Sequence, residues 1–146
     1  MKKTIASLVC LAALGLASAQ AATNASMVVE FQGPGGHSNG AYGRTSAVHA
    51  AGRALVQLKA AGLPAGSYTV SGLNGGNSVN SIASDARYTV TALTSDPAVL
   101  ATITQQVTAT AKAGADAENA FRGVKAGDTA GGARADIRFT VVSQPQ

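Results

Sequence analysis

The sequence predicts an α+β fold of the ferredoxin-like type, in which two helices cover one face of a four-stranded antiparallel sheet. Two observations lead to this fold class. Four segments have the alternating or β-branched composition of strands, and two have the apolar periodicity of helices. Their order along the chain is β-α-β-β-α-β, in which two helices alternating with pairs of strands can lie on the same side of one sheet.

The first half of the domain contains one predicted strand and one predicted helix. Residues 27–32 alternate in polarity as a strand does. Residues 45–61 form the helix, with Thr45 or Ser46 as its N-cap and Gly62 and Pro64 after its end. Its many alanines predict close packing on a sheet or on another helix. One apolar stripe is expected to face the core, formed by Val48, Ala51, Leu55 and Leu58.

The second half contains three predicted strands and one helix. The strands are residues 67–73, 87–93 and 135–142, and the helix begins at Asp96-Pro97, with Asp as N-cap and Pro in the first turn. The segment 114–132 is the least determined, although residues 115–121 could extend the helix. The expected core of the whole domain consists of Val29, Phe31, Leu55, Leu58, Val70, Val90, Ile103, Val107, Ile137 and Phe139.

The first 19 residues have the pattern of a secretory signal peptide. Two lysines precede an apolar run, and Ala17-Ser18-Ala19 forms a cleavage signal. The run is too short for a transmembrane helix, and Cys10 lies in a poor context for a lipoprotein signal. We therefore expect export to a periplasm or to the medium, without a membrane anchor. The organisation that follows is a signal peptide at 1–19, a flexible leader at 20–26, one domain at 27–143 and a tail at 144–146.

The composition of the predicted mature chain excludes several function classes. Removing 19 of the 146 residues leaves 127, enough for one domain with a core, and takes away the only cysteine. The loss of Lys2 and Lys3 lowers the formal net charge from +4 to +2. No basic cluster remains and aromatic residues are few, so nucleic-acid binding is not expected.

Two glycine-rich segments are the strongest candidates for a functional site. The first, GPGGHS at residues 33–38, joins a strand to a helix, where Pro34-Gly35 suits a type II turn. The second, GGNSVNSIA at residues 75–83, follows another strand. Taken alone, the first segment is more simply interpreted as a solvated strand-to-helix connection.

With both segments present in this order, the sequence resembles the dimerisation, or lid, domain of the M20 metallopeptidases, which are zinc-dependent aminoacylases, carboxypeptidases and dipeptidases. The matching residues are 33–38, 46–51, 75–82 and 96–100. The resemblance implies that His37 helps to polarise a scissile carbonyl in a partner subunit's active site, and that Asn80, with Gly75 and Gly76, helps to hold substrate. A family arginine at the end of the third strand is absent, since residues 91–94 read TALT, and Arg87 lies at the other end of that strand.

The predicted mature chain lacks the histidine and carboxylate side chains that a two-zinc site needs as ligands. It contains only His37 and His49, two glutamates and five aspartates, without an H-x-D, Glu-Glu or H-E-x-x-H motif. His49 is expected to be a surface or boundary residue of its helix. We therefore predict no metal site and no catalysis by the chain alone, with zinc relevant only if a separate M20 catalytic chain exists.

The predicted function is that of an exported, non-catalytic M20-type dimerisation domain that forms a homodimer. Three alternatives stay open: a lid subunit that completes a separately encoded zinc peptidase or amidohydrolase, a binding module for peptides or amino-acid derivatives, and a relic of a truncated gene. The second strand should be an edge of the sheet, and it lacks charge and proline. The homodimer is expected to form through this edge and the adjacent helix, with the edge contributed by Ser67, Tyr68, Thr69, Val70 and Ser71.

Overall fold

A computed structural model of the protein describes residues 24–144. The signal peptide predicted for residues 1–19 lies outside the described residues. The predicted elements are all present, and the ends that were predicted differ from the observed ones by at most three residues. They are β1 (Ser26–Gln32), α1 (Ala47–Ala60), β2 (Tyr68–Gly75), β3 (Asp85–Ala92), α2 (Pro97–Phe121) and β4 (Arg138–Gln144).

Two short ladders lie outside the main sheet. Gly36–His37 pairs with Ser81–Ile82, and Thr129–Ala130 pairs with Ala133–Arg134. The first ladder joins the two glycine-rich segments, and the second closes the turn between α2 and β4. The main sheet begins one residue before the predicted domain 27–143 and ends one residue after it.

The main sheet has the strand order β2-β3-β1-β4, and each neighbouring pair is antiparallel. This order confirms the ferredoxin-like prediction and the position of β2 at an edge. The helices cover one face. The opposite face needs no covering layer because its side chains are mostly polar; Ser26 Oγ and Thr91 Oγ1, for example, lie 3.0 Å apart there in a hydrogen bond. In the described residues, neither helix is long and apolar enough to cross a membrane.

The two helices pack against each other through small residues. A Cβ atom added at Gly114 of α2 would lie 2.6 Å from the carbonyl oxygen of Ala50 and 2.7 Å from the Cβ of Ala54, both on α1. The alanine-rich face of α1 therefore confirms the prediction of close helix packing. This contact rotates α1 relative to the predicted stripe: the buried residues are Ala47, Ala50, Ala51, Ala54 and Leu58.

The long helix α2 begins as the sequence predicted. The Asp96 carboxylate accepts hydrogen bonds from the backbone N–H groups of Ala98 at 2.8 Å and Val99 at 3.4 Å, and Pro97 occupies the first turn. Part of the segment 114–132, which the sequence left undetermined, is helical, because α2 continues without a break to Phe121.

The core agrees with most of the predicted residues but not all. Val70 is a wrong prediction: it is 40% exposed, because β2 lies at the sheet edge and α1 covers it only in part. Leu55 and Phe139 are half-buried and pack against the core rather than lying inside it. The predicted residues that are fully buried are Val29, Phe31, Leu58, Val90, Ile103, Val107 and Ile137.

Candidate functional site

The two glycine-rich segments meet, and their polar side chains form a pair. Gly35 has a φ of 64°, which a residue with a side chain rarely adopts, and the turn it makes with Pro34 leads directly to His37. The backbone N–H of Ser38 then donates to the carbonyl of Asn80 at 2.9 Å. As a result, His37 Nε2 lies 3.0 Å from Asn80 Nδ2, and both side chains are exposed.

The hydrogen bonds of His37 determine which ring nitrogen carries the proton. The backbone N–H of Asn39 donates to His37 Nδ1 at 3.2 Å, so Nδ1 is an acceptor and, in neutral imidazole, Nε2 carries the hydrogen. An Nε2–H group needs an acceptor, yet the nearest atom of Asn80 is placed as the amide nitrogen. Amide oxygen and nitrogen are assigned from their hydrogen bonds. We therefore assign the Asn80 amide with its oxygen toward His37.

The reversed amide also suits the other neighbour of Asn80. Ser78 Oγ is in hydrogen-bond contact with the far end of the same amide and accepts from the Asn80 backbone N–H at 3.4 Å. With the amide nitrogen on that side, Asn80 donates to the serine oxygen. The chain of hydrogen bonds then runs from His37 to Asn80 to Ser78, and it directs Nε2 of His37 toward Asn80 at the protein surface. Asn39 and Ser78, which position this pair, were not singled out from the sequence.

The other two predicted binding residues, Gly75 and Gly76, lie beside the pair. A Cβ at Gly75 would come within 2.4 Å of the Asp85 carbonyl oxygen and 2.9 Å of Val48 Cγ2, so glycine is needed there for packing between β2, β3 and α1. Gly76 has a φ of 74° and turns the chain out of β2. Both glycines line a cavity of about 460 Å³ next to the first turn of α1.

A buried carboxylate, Glu118 of α2, organises the neighbouring end of the helix pair. It is 0% exposed. Its Oε1 atom accepts from the backbone N–H of Ser46 at 3.1 Å and from Arg122 Nε at 3.2 Å, while Oε2 accepts from Arg53 Nε at 3.1 Å. Ser46 is thus the N-cap residue of α1, as expected, but its side chain makes no capping bond; the glutamate accepts instead from the backbone N–H of Ser46 itself.

The same cluster includes an aromatic ring and the second histidine. The guanidinium groups of Arg53 and Arg122 each lie 4.9 Å from the ring centre of Phe121, and both stack on it. His49 Nδ1 is 3.7 Å from Glu118 Oε1, and its side chain is 57% exposed. His49 is therefore a boundary residue, as predicted.

Groups of three or more potential metal ligands are absent from residues 24–144. Arg87 lies near the start of β3, opposite Glu30 of β1 and Asn74 of β2 in the sheet register. It is therefore at the end of β3 away from residues 91–94, as the sequence indicated.

Comparison with protein families gives one match. The model of the peptidase dimerisation domain family matches residues 22–119, which is more than half of the 146 residues. No curated protein sequence matches the chain.

Solved structures give matches at the level of the fold. An aminobenzoyl-glutamate utilization protein from Klebsiella pneumoniae is 17% identical with a TM-score of 0.62, and the match covers 82% of this chain and 28% of that one. A hydantoinase/carbamoylase family amidase from Burkholderia ambifaria is 19% identical with a TM-score of 0.60, covering 83% and 27%. A tripeptidase from Staphylococcus aureus is 17% identical with a TM-score of 0.57, covering 82% and 28%. The chain thus spans less than a third of the length of each of these proteins.

Proposed function

We propose a function for this chain from the fact that it belongs to the peptidase dimerisation domain family. The proposal is that two copies associate through β2 and α1, and that the chain acts as a non-catalytic dimerisation domain. The observation that carries it is a partly exposed apolar stripe along α1, beside the unpaired edge of the sheet. Val56 of α1 and Val70 of the edge strand are exposed, while Val48, Gly52 and Leu55 are partly buried.

The edge strand β2 offers backbone groups to a second strand. The carbonyl of Ser67 accepts from the N–H of Leu93 at 2.7 Å, so this pair is hydrogen-bonded inside the sheet. In an antiparallel ladder the direction of these groups alternates, and Thr69 and Ser71 therefore also bond to β3. Tyr68 and Val70 point their N–H and carbonyl groups away from the sheet, where a strand from a second copy could pair with them.

The helix beside this edge has the surface that a close helix contact requires. Val56 is 71% exposed, and a Cβ added at Gly52 would meet nothing within 4 Å. At one residue per 100° of turn, Val48, Gly52 and Leu55 lie on the side of α1 that faces β2. A two-fold axis perpendicular to the sheet at this edge would then place α1 against its copy and join two sheets into one of eight strands, as an isologous dimer does.

A larger residue at Gly52 tests the dimer contact without disturbing the fold of the monomer. Gly52→Leu places a side chain in open space in the monomer and improves helix propensity, so the free energy of unfolding of the monomer should not fall. In the proposed dimer the same side chain would hold the two α1 helices apart. We expect light scattering to give a monomer for Gly52→Leu and a dimer for Ala109→Leu, the matched change at an exposed position of α2. A Gly52→Leu protein that stays dimeric would refute this interface.

Export is part of the proposal and rests on the sequence of residues 1–19. Two lysines, an apolar run and the Ala17-Ser18-Ala19 signal support cleavage near Gln20 or Ala22. The intact mass of the exported protein tests this proposal, and soluble protein that retains residues 1–19 would contradict it.

A second candidate function is supported by the exposed pair of His37 and Asn80. The chain would serve as a lid for a separately encoded zinc peptidase or amidohydrolase, and His37 would donate its Nε2–H to a substrate oxygen in place of the Asn80 oxygen. Several proteins of similar fold are named as an amidase or a tripeptidase. Purification from native extracts would test this candidate: a co-purifying zinc hydrolase whose activity falls with His37→Ala supports it, and a chain isolated alone opposes it. Binding of peptides or amino-acid derivatives by the chain itself is the third candidate.

A further inference from the structure

The loop that presents His37 contains an Asn-Gly pair, Asn39-Gly40, and the edge strand β2 contains a second, Asn74-Gly75. We propose that Asn39-Gly40 is a site of spontaneous deamidation, and that the sheet protects Asn74-Gly75 from the same reaction. The modification converts the amide of residue 39 into a carboxylate within the loop that carries His37. It is independent of dimerisation and of the role proposed for His37.

The reaction needs only the two residues and water. The backbone nitrogen of Gly40 loses its proton to solvent and attacks Cγ of Asn39. The new N–C bond closes a succinimide ring, and the Cγ–Nδ2 bond breaks, so that the amide nitrogen takes up the proton and leaves as ammonia. Water then adds to one of the two ring carbonyls, and the bond from that carbonyl to the ring nitrogen breaks. The product is aspartate when the side-chain carbonyl is attacked and isoaspartate when the main-chain carbonyl is attacked.

The backbone at Asn39-Gly40 is free to close this ring. Both residues are exposed and lie in a turn. The N–H of Gly40 donates no hydrogen bond to any of the residues that the structure describes, and a Cβ added at Gly40 would meet nothing within 4 Å. The attacking nitrogen is therefore open to solvent, and glycine has no side chain that would shield it.

The pair in β2 is also exposed, but its backbone is fixed by the sheet. Asn74 lies opposite Arg87 in the register, and just after the pair the N–H of Gly76 donates to the carbonyl of Asp85 at 3.3 Å. Ring closure requires a rotation about the Cα–C bond of the asparagine to bring the next nitrogen to Cγ. An extended residue between paired neighbours makes this rotation only when the ladder opens locally.

Deamidation changes the loop in two ways. Either product carries a negative charge at neutral pH in place of the neutral amide. Isoaspartate also adds a methylene group to the main chain between residues 39 and 40, inside the turn in which the N–H of Ala41 donates to the carbonyl of His37 at 2.8 Å. The backbone N–H of Asn39 holds His37 Nδ1 at 3.2 Å. We therefore expect isoaspartate to open the turn and to move the His37 ring away from Asn80.

The test is to incubate the purified protein at warm temperature and mildly alkaline pH and to follow both Asn-Gly pairs by mass spectrometry of their proteolytic peptides. Deamidation exchanges an NH group for an oxygen atom, and fragmentation distinguishes isoaspartate from aspartate. We expect the reaction at residue 39 to be about tenfold or more faster than at residue 74, because the latter requires local opening of the sheet. In urea, which removes the ladder, the two rates should become similar. This comparison separates the effect of the fold from that of the sequence.

Gly40→Ala is the matched variant, because Gly40 does not have a positive φ and the added methyl group has open space. The methyl group shields the nitrogen, so deamidation at residue 39 should slow several-fold while Tm and the rate at residue 74 stay unchanged. The deamidated protein, separated by ion exchange, should show shifted NMR signals of the His37 ring. Equal rates at the two pairs in the folded protein, an Asn39 that reacts only in urea, or a Gly40→Ala protein that reacts as fast as the unmodified one would overturn the proposal. Unchanged His37 signals in the isoaspartate form would overturn the effect on the loop.

Discussion

Replacing Glu118 by glutamine should destabilise the domain strongly. The carboxylate is fully buried and accepts three hydrogen bonds, two of them from guanidinium groups. Glutamine has nearly the same shape, but its single oxygen cannot serve Ser46, Arg53 and Arg122 together, and its amide hydrogens would face donor groups. Removing one partner from a buried ion cluster costs about 3–5 kcal/mol in the free energy of unfolding. For a domain of this size that corresponds to a decrease in Tm of roughly 10–20 °C.

Urea and thermal unfolding followed by circular dichroism measure this effect, and the same helix offers a matched control. Asp116 forms a 2.6 Å ion pair with Lys112, but both side chains are at least 60% exposed. Asp116→Asn should therefore change the free energy of unfolding by less than about 1 kcal/mol. A loss below about 1 kcal/mol for Glu118→Gln, or an equal loss in both variants, would refute the structural role assigned to the buried cluster.

Three further predictions test the edge strand, the site and the short ladder near β4. Val70→Pro removes an N–H group that faces away from the sheet and should yield a folded monomer. Thr69→Pro breaks a hydrogen bond to β3 and should lower Tm. Equal Tm values for these two variants would contradict the alternation of hydrogen bonds in the ladder. Long-range ¹H–¹⁵N spectra of His37 should show the proton on Nε2, and a proton on Nδ1 in the neutral ring would contradict the assigned orientation of the Asn80 amide. Arg134 donates to both carboxylate oxygens of Asp136 and thereby holds the pKa of Asp136 below its usual value. The ion pair therefore stabilises the fold above about pH 4, and this contribution is lost as the pH falls further. Asp136→Asn should flatten the acid limb of a curve of stability against pH.

Much of the fold could be predicted from local patterns. Alternation identified β1, a high content of β-forming residues identified β3, and the Asp96-Pro97 start of α2 was visible because capping depends on neighbouring residues. Burial at the sheet edge was not predictable in the same way. Val70 belongs to a strand-like segment, yet its exposure depends on how far α1 extends over β2. The direction of its N–H depends likewise on the pairing between β2 and β3.

The candidate site was predicted in outline. The motifs placed His37 and Asn80 in two glycine-rich segments, but their contact is a long-range feature that only the sheet topology creates. Glu118 was missed, although the spacing contained a signal: it continues the buried face of α2 after Val107 and Ala111. A lone carboxylate on such a face predicts buried cationic partners. Which arginines these are depends on the close approach of α1 at Gly114.

The central claim is that two copies of this chain associate through β2 and α1. The most direct test is the molar mass of the purified, unmodified protein by light scattering at tens of micromolar, an assumed working range. The account predicts twice the mass of the chain, because the partly exposed stripe and the unpaired backbone groups of β2 find their partner in a second copy. A mass equal to that of a single chain across this range would contradict it.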